Sequence, residues 1–220
     1  KGYDYVTIKY STTGSQQWAA RYDGPAYLND IANELKVDGM GNVYVTGSSH
    51  GGTTKLDYTT IKYNTTGQQQ WLTRYTNSPV NDTDAATGID IDVYGNVYVT
   101  GYSKASGAAS YDYATIKYKG ADGTQMWLKR EDGGLSDKAW DIKVIYKTCA
   151  SGNGSYGGGN DVPCWDVFVY VSGESKLGSG NDFLTYGYGE SGNQRWFNRF
   201  NGPQNGNDAA YSISVKANYP

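Results

Sequence analysis

The chain has 220 residues and a formal net charge of −3, with 22 tyrosines against 4 phenylalanines, 30 glycines, one histidine and two cysteines. That length is enough for one sizeable core. No stretch is apolar and long enough for a helical membrane span, and the weakly acidic balance gives no electrostatic reason to expect a nucleic acid. Sustained helical periodicity is absent, whereas Tyr, with its strand propensity and its apolar body tipped by a hydroxyl, suits half-buried sheet positions.

The chain opens on Lys1-Gly2, carries no signal peptide and runs straight into a strand motif, so it reads as a mature or truncated chain. Asp4-Tyr-Val-Thr-Ile-Lys-Tyr10 is the first of four related units, followed by Asp57–Tyr63, Asp112–Tyr118 and Asp182–Tyr188. After each comes a short turn and then Trp-x-x-Arg, at Trp18/Arg21, Trp71/Arg74, Trp127/Arg130 and Trp196/Arg199. An Asp-x-Ala mark follows, at Asp30/Ala32, Asp84/Ala86, Asp137/Ala139 and Asp208/Ala210.

Between that mark and the next Asp-Tyr unit lies a hairpin. Its clearest copy is Gly88–Gly101, where Ile89, Ile91 and Val93 alternate with Asp90 and Asp92, Tyr94-Gly95-Asn96 turns, and Val97–Thr100 returns. Residues Glu34–Gly47 repeat it closely, and Trp140–Tyr146 with Trp165–Gly173 repeat it loosely.

Four strands per repeat of roughly 50–70 residues is the signature of a propeller blade. With strand types A (Ile89), B (Val97), C (Asp-Tyr unit) and D (Trp-x-x-Arg), residues 1–28 supply C and D. Residues 29–77, 82–131 and 137–201 supply three full blades, and 208–220 supplies a lone A, for fifteen strands in all. The fold class expected is all-β, a propeller of four-stranded antiparallel blades. It is either part of a larger propeller or a ring whose missing strand comes from a neighbouring molecule by strand addition.

Asp-x-Ala, an apolar strand, Gly-Asn-Val-Tyr-Val-Thr-Gly and a Tyr/Trp-rich hairpin together resemble the SBBP type of β-propeller repeat. The match is sharpest at Asn42–Gly47 and Asn96–Gly101. The resemblance implies a propeller, usually of about seven blades, of a secreted or cell-surface prokaryotic protein, and it carries over no catalytic residues.

The third full blade has an insertion between its A and B strands, residues 148–164, with Cys149 and Cys164 at its base. Antiparallel flanking strands would bring the two cysteines together. A disulfide closing about 15 residues would stabilise by about 3 kcal/mol in the chain-entropy model and points to an oxidising compartment. Reduced thiols or half a metal site are the alternatives, and zinc lacks ligands with His50 as the sole histidine.

Other candidates each have a structural alternative. Asp90, Asp92 and Asn96 offer oxygens for calcium, but Lys36 stands where Asp90 does in the preceding blade, which favours a plain hairpin turn. The recurring Asp30, Asp84, Asp137 and Asp208 suit loop fixing by accepted N–H bonds, or a ring of ligands on one face. Trp18, Trp71, Trp127 and Trp196 suit packing between blades, with the Lys of the C strand stacked over them, or a sugar-binding platform.

Asn64, Asn81 and Asn153 begin glycosylation sequons. No catalytic constellation is visible and no cofactor is required. The reading is a non-catalytic extracellular scaffold, adhesion or binding module with a protein or glycan partner. A strand-exchanging filament or layer subunit, and a polysaccharide-acting enzyme with acidic residues converging on the axis, are the rivals.

Overall fold

A computed structural model describes residues 2–52, 55–77, 82–104, 108–148, 165–178 and 180–216. The chain is all-β. Strands β1 (Tyr5–Tyr10) and β2 (Gln16–Tyr22) form a two-stranded sheet. Strands β3 (Asp30–Val37), β4 (Val43–His50), β5 (Leu56–Tyr63) and β6 (Gln69–Tyr75) form a four-stranded one in chain order.

The same meander returns as β7 (Asp84–Ile91), β8 (Val97–Lys104), β9 (Tyr111–Tyr118) and β10 (Gln125–Glu131). It returns again as β11 (Ser136–Thr148), β12 (Trp165–Leu177), β13 (Gly180–Gly189) and β14 (Gln194–Phe200). All pairings are antiparallel. These are the blades of a β-propeller, and the first strands β3, β7 and β11 pack against one another on the inner, axial side.

No blade buries both faces alone, so each junction between sheets holds its own core. Tyr5, Val43, Val45 and Ile61 fill the first. Tyr44, Tyr58 and Trp71 meet Ile89, Val99 and Ile116 in the second, and Tyr98 and Tyr113 meet Ile142, Val169 and Leu184 in the third. Each such aliphatic side chain contributes about 1.5–3 kcal/mol on full burial.

The glycine of Val-Thr-Gly has a packing reason. A Cβ at Gly47, Gly101 or Gly173 would first strike the backbone carbonyl of Ile31, Ala85 or Lys138 on the adjacent strand, and would sit 2.7, 2.8 or 2.5 Å from the hydroxyl of Tyr5, Tyr58 or Tyr113 of the preceding sheet. Those hydroxyls cross the junction to donate to the carbonyls of Thr59, Ala114 and Leu184.

Among the described residues the fifteenth strand is not formed. Residues 207–216 carry no strand pairing, because a ladder needs a partner and no B strand follows among the described residues. The segment nevertheless lies where the inner strand of a next blade would. Glu34 accepts from Ile89 N (2.7 Å) and Asp141 accepts from Ile213 N (2.8 Å), which sets Ile213 in the position of Ile89.

Candidate functional site

The recurring residues build the junctions. Each Asp at a sheet's entry accepts a backbone N–H from the loop before it: Asp30 from Gly24 (2.6 Å), Asp84 from Asn77 (3.1 Å), Asp137 from Gly133 (2.7 Å) and Asp208 from Gly202 (2.7 Å). The D-strand arginines pair with the C-strand aspartates, Arg21 with Asp4, Arg74 with Asp57, Arg130 with Asp112 and Arg199 with Asp182. Arg74, Arg130 and Arg199 also donate to the hydroxyls of Ser49, Ser103 and Ser175. In each four-stranded sheet these arginines thus tie the D strand to the C and B strands of the same blade.

The tryptophans reach forward. Trp18, Trp71 and Trp127 donate from Nε1 to the carbonyls of Thr65, Gly120 and Glu190 in the following sheet's turn. There each ring covers a glycine with positive φ, Gly67, Gly123 or Gly192, whose Cβ would come within 2.7–3.0 Å of it. Trp196 is 42 % exposed. The C-strand lysines do not stack on these indoles, contrary to the sequence expectation. Lys62 and Lys117 lie 5.1 Å over Tyr44 and Tyr98 on the adjacent B strands. Cross-strand pairing sets Lys62 between Tyr44 and Trp71, and Trp71 is turned toward the next sheet.

On the axial side, a cleft of about 470 Å³ is lined by Lys36, Asp38, Met40, Asp90, Asp92 and Tyr146. Its carboxylates are occupied. Asp92 accepts from Tyr94 N, Asn96 N, the Asn96 amide and the Tyr98 hydroxyl (2.8–2.9 Å), and Asp38 does the same with Met40, Asn42 and Tyr44. Burial alone would push Asp38 up, but the bonds from Asn42, Tyr44 and Met40 outweigh it and hold the carboxyl below its usual range. Asp90 instead faces the next blade, accepting from Val144 N (2.8 Å) and pairing with Lys143 (3.0 Å). The calcium candidates Asp90, Asp92 and Asn96 thus split between two jobs rather than converging on one point.

A second axial cavity, of about 320 Å³, is lined by Asn33, Thr87, Tyr102, Trp140 and Tyr211. Asn33, Thr87 and Trp140 sit at the bulges of β3, β7 and β11. Tyr211 holds the same place, three residues after Asp208, in the unpaired segment. Bulges turn a side chain out of the ladder, and these turn it to the axis. Trp140 and Tyr211 are in ring contact at 5.9 Å, and the buried Trp140 Nε1 has no hydrogen-bond partner. Lys138 lies 5.2–5.9 Å over the rings of Tyr102, Tyr111 and Trp140. Sequence reasoning missed this set because its members differ from blade to blade, and a search for recurring residues passes over them.

Cys149, Cys164, Asn81 and Asn153 lie outside the described residues. The β11–β12 ladder runs out to Thr148 opposite Trp165. Asn64 begins a turn in which its side-chain oxygen accepts from Thr66 N and Gln68 N, while its amide donates to Gln68.

Neither the protein-family models nor the curated proteins compared with this chain gave a match.

Proposed function

We propose that the chain is a non-catalytic propeller module of a secreted or cell-surface protein, of the SBBP-like kind, that binds a surface glycan at its axis. The observation that carries this is the contrast between fixed and varied positions. The charged residues recur from blade to blade, whereas Asn33, Thr87, Trp140 and Tyr211, equivalent places with four different residues, line one cavity. The rings of Tyr102, Trp140 and Tyr211 offer a sugar ring the apolar stacking it needs, while Asn33 Nδ2 and Thr87 Oγ1 donate to Ala86 O (2.6 Å) and Ala139 O (2.9 Å) of the next blade and hold the rim of the cavity. Intrinsic Trp fluorescence titrated with bacterial and archaeal surface polysaccharides tests it. Binding lost in Trp140→Ala and kept in Trp18→Ala is expected. Binding indifferent to Trp140, or shortening of the polysaccharide, would overturn it.

A self-assembling subunit is the second reading, favoured by two unmatched halves of a junction. Gly14 has the positive φ and open space of a turn awaiting an indole, and among the described residues Trp196 is an indole without such a turn. Light scattering across a concentration series would show growth in mass that Trp196→Ala abolishes, and a constant monomer mass rules this reading out. The Cys149–Cys164 disulfide belongs to the same extracellular proposal, and absence of free thiols in the denatured, unreduced protein is the expected result.

A further inference from the structure

We propose that two of the four Asp–Arg corners are divalent-cation sites of the calcium class, one formed by Asp4, Asp23 and Asp30 and the other by Asp112, Asp132 and Asp137. In each, one carboxylate oxygen from every member lies within 4.8 Å of the others, which is the spacing of ligands around a common ion. The topology builds both alike. A C strand contributes the first Asp, the end of the D strand the second, and the entry to the next sheet the third.

The independent observation is an orphaned oxygen. Asp30 is 1 % exposed and Asp137 is fully buried. Each spends Oδ2 on the loop N–H described above, and in each Oδ1 is buried with no hydrogen-bond partner. Asp23 Oδ1 is in the same condition. A buried carboxylate oxygen without a donor is costly unless something positive meets it.

The chain contains its own control. At the corner between the first and second four-stranded sheets, Thr76 stands where Asp23 and Asp132 stand. There the deep carboxylate, Asp84, has both oxygens satisfied, Oδ1 by Lys104 N and Oδ2 by Asn77 N, each at 3.1 Å. At the deep position, an orphan oxygen therefore accompanies the third carboxylate.

Charge and donor type narrow the ligand. Arg21 pairs with Asp4 and Asp23, and Arg130 with Asp112, so each corner keeps two net negative charges among these groups. The next guanidiniums stop short, Arg74 at the Ser49 hydroxyl (2.8 Å) and Arg199 at the Ser175 hydroxyl (2.9 Å). All-oxygen sites without nitrogen or sulfur select hard cations, and calcium tolerates irregular, partly hydrated coordination better than magnesium does.

The test is calorimetric titration of the chelator-stripped protein with calcium chloride. Two ions per chain at sub-millimolar to millimolar affinity are expected, with one ion in Asp23→Asn or Asp132→Asn and none in the double variant. Millimolar calcium should raise the thermal midpoint by roughly 2–8 °C in the parent and leave the double variant unmoved, with circular dichroism reporting that its fold is retained. No calcium binding by the parent at millimolar concentration, or two ions still bound by the double variant, would overturn the proposal. So would magnesium binding as tightly as calcium.

Discussion

Strands β3 and β7 occupy the same place in consecutive blades and open with the same Asp-x-Ala mark, yet they live in different environments. In β7, Ile89 is fully buried, whereas the equivalent Leu35 in β3 is 51 % exposed. The difference lies in what stands before each strand. β7 is backed by β3, β4 and β5, while β3 has only an edge contact with β1. Burial in this molecule is thus conferred by a neighbour and not by the strand's own text, which is the energetic logic of a stacked repeat.

Paired substitutions, read as urea unfolding free energies, sharpen that contrast. The largest gap belongs to the indoles. Trp71→Ala should cost about 3–5 kcal/mol, because the ring is 7 % exposed, seated on Gly123 and bonded to Gly120. Trp196→Ala should cost about 1 kcal/mol, since only part of that area is out of water. Next come the inner strands, with about 2–5 kcal/mol for Ile89→Ala and under about 1 kcal/mol for Leu35→Ala. Equal costs in either pair would refute the idea that burial comes from the neighbour.

A finer comparison uses the turns. Gly14 and Gly123 both have positive φ (82° and 75°), so each Ala variant carries a backbone cost of about 1–2 kcal/mol. Only Gly123→Ala also drives a Cβ to 3.0 Å from Trp71, which should add roughly 1–3 kcal/mol.

The smallest effect is in acid, and its sign differs between two carboxylates. Asp38 sits below its ordinary pKa, so it contributes stability above pH 3.8 that is lost as pH falls through its lowered folded value. Asp84 is raised, burial outweighing its bonds to Ser103, Asn77, Lys104 and Thr76, so its ionisation removes stability as pH climbs from 3.8 through the raised value. Asp38→Asn should therefore flatten the acid limb of the stability curve and Asp84→Asn should steepen it, as seen in unfolding midpoints across pH 3–6.

Much of the fold was legible because the periodicity is written in residues that cannot move. The Val-Thr-Gly glycine must admit a tyrosine, and the turn glycine must lie under an indole. The strands of the three four-stranded sheets run over Asp30–Tyr75, Asp84–Glu131 and Ser136–Phe200. Pairing was less legible: residues 208–220 read as a strand because their pattern is one, while a ladder also requires a partner, and the described part, 208–216, has none. The sites were hardest to read. Asp4 and Asp30 stood out as repeat marks but Asp23 did not, and the three meet only because a hairpin and a crossing bring three chain segments to one corner. Trp140 and Tyr211 were hidden by belonging to no shared pattern.

The forward reach of Tyr and Trp across each junction has a directional consequence. Every blade extends aromatic hands ahead and offers glycine hollows behind, so the stack is vectorial, like a row of cups. Its leading and trailing surfaces are chemically different objects, and a molecule shaped to stopper one will not fit the other. Any terminator, natural or engineered, must come in two kinds.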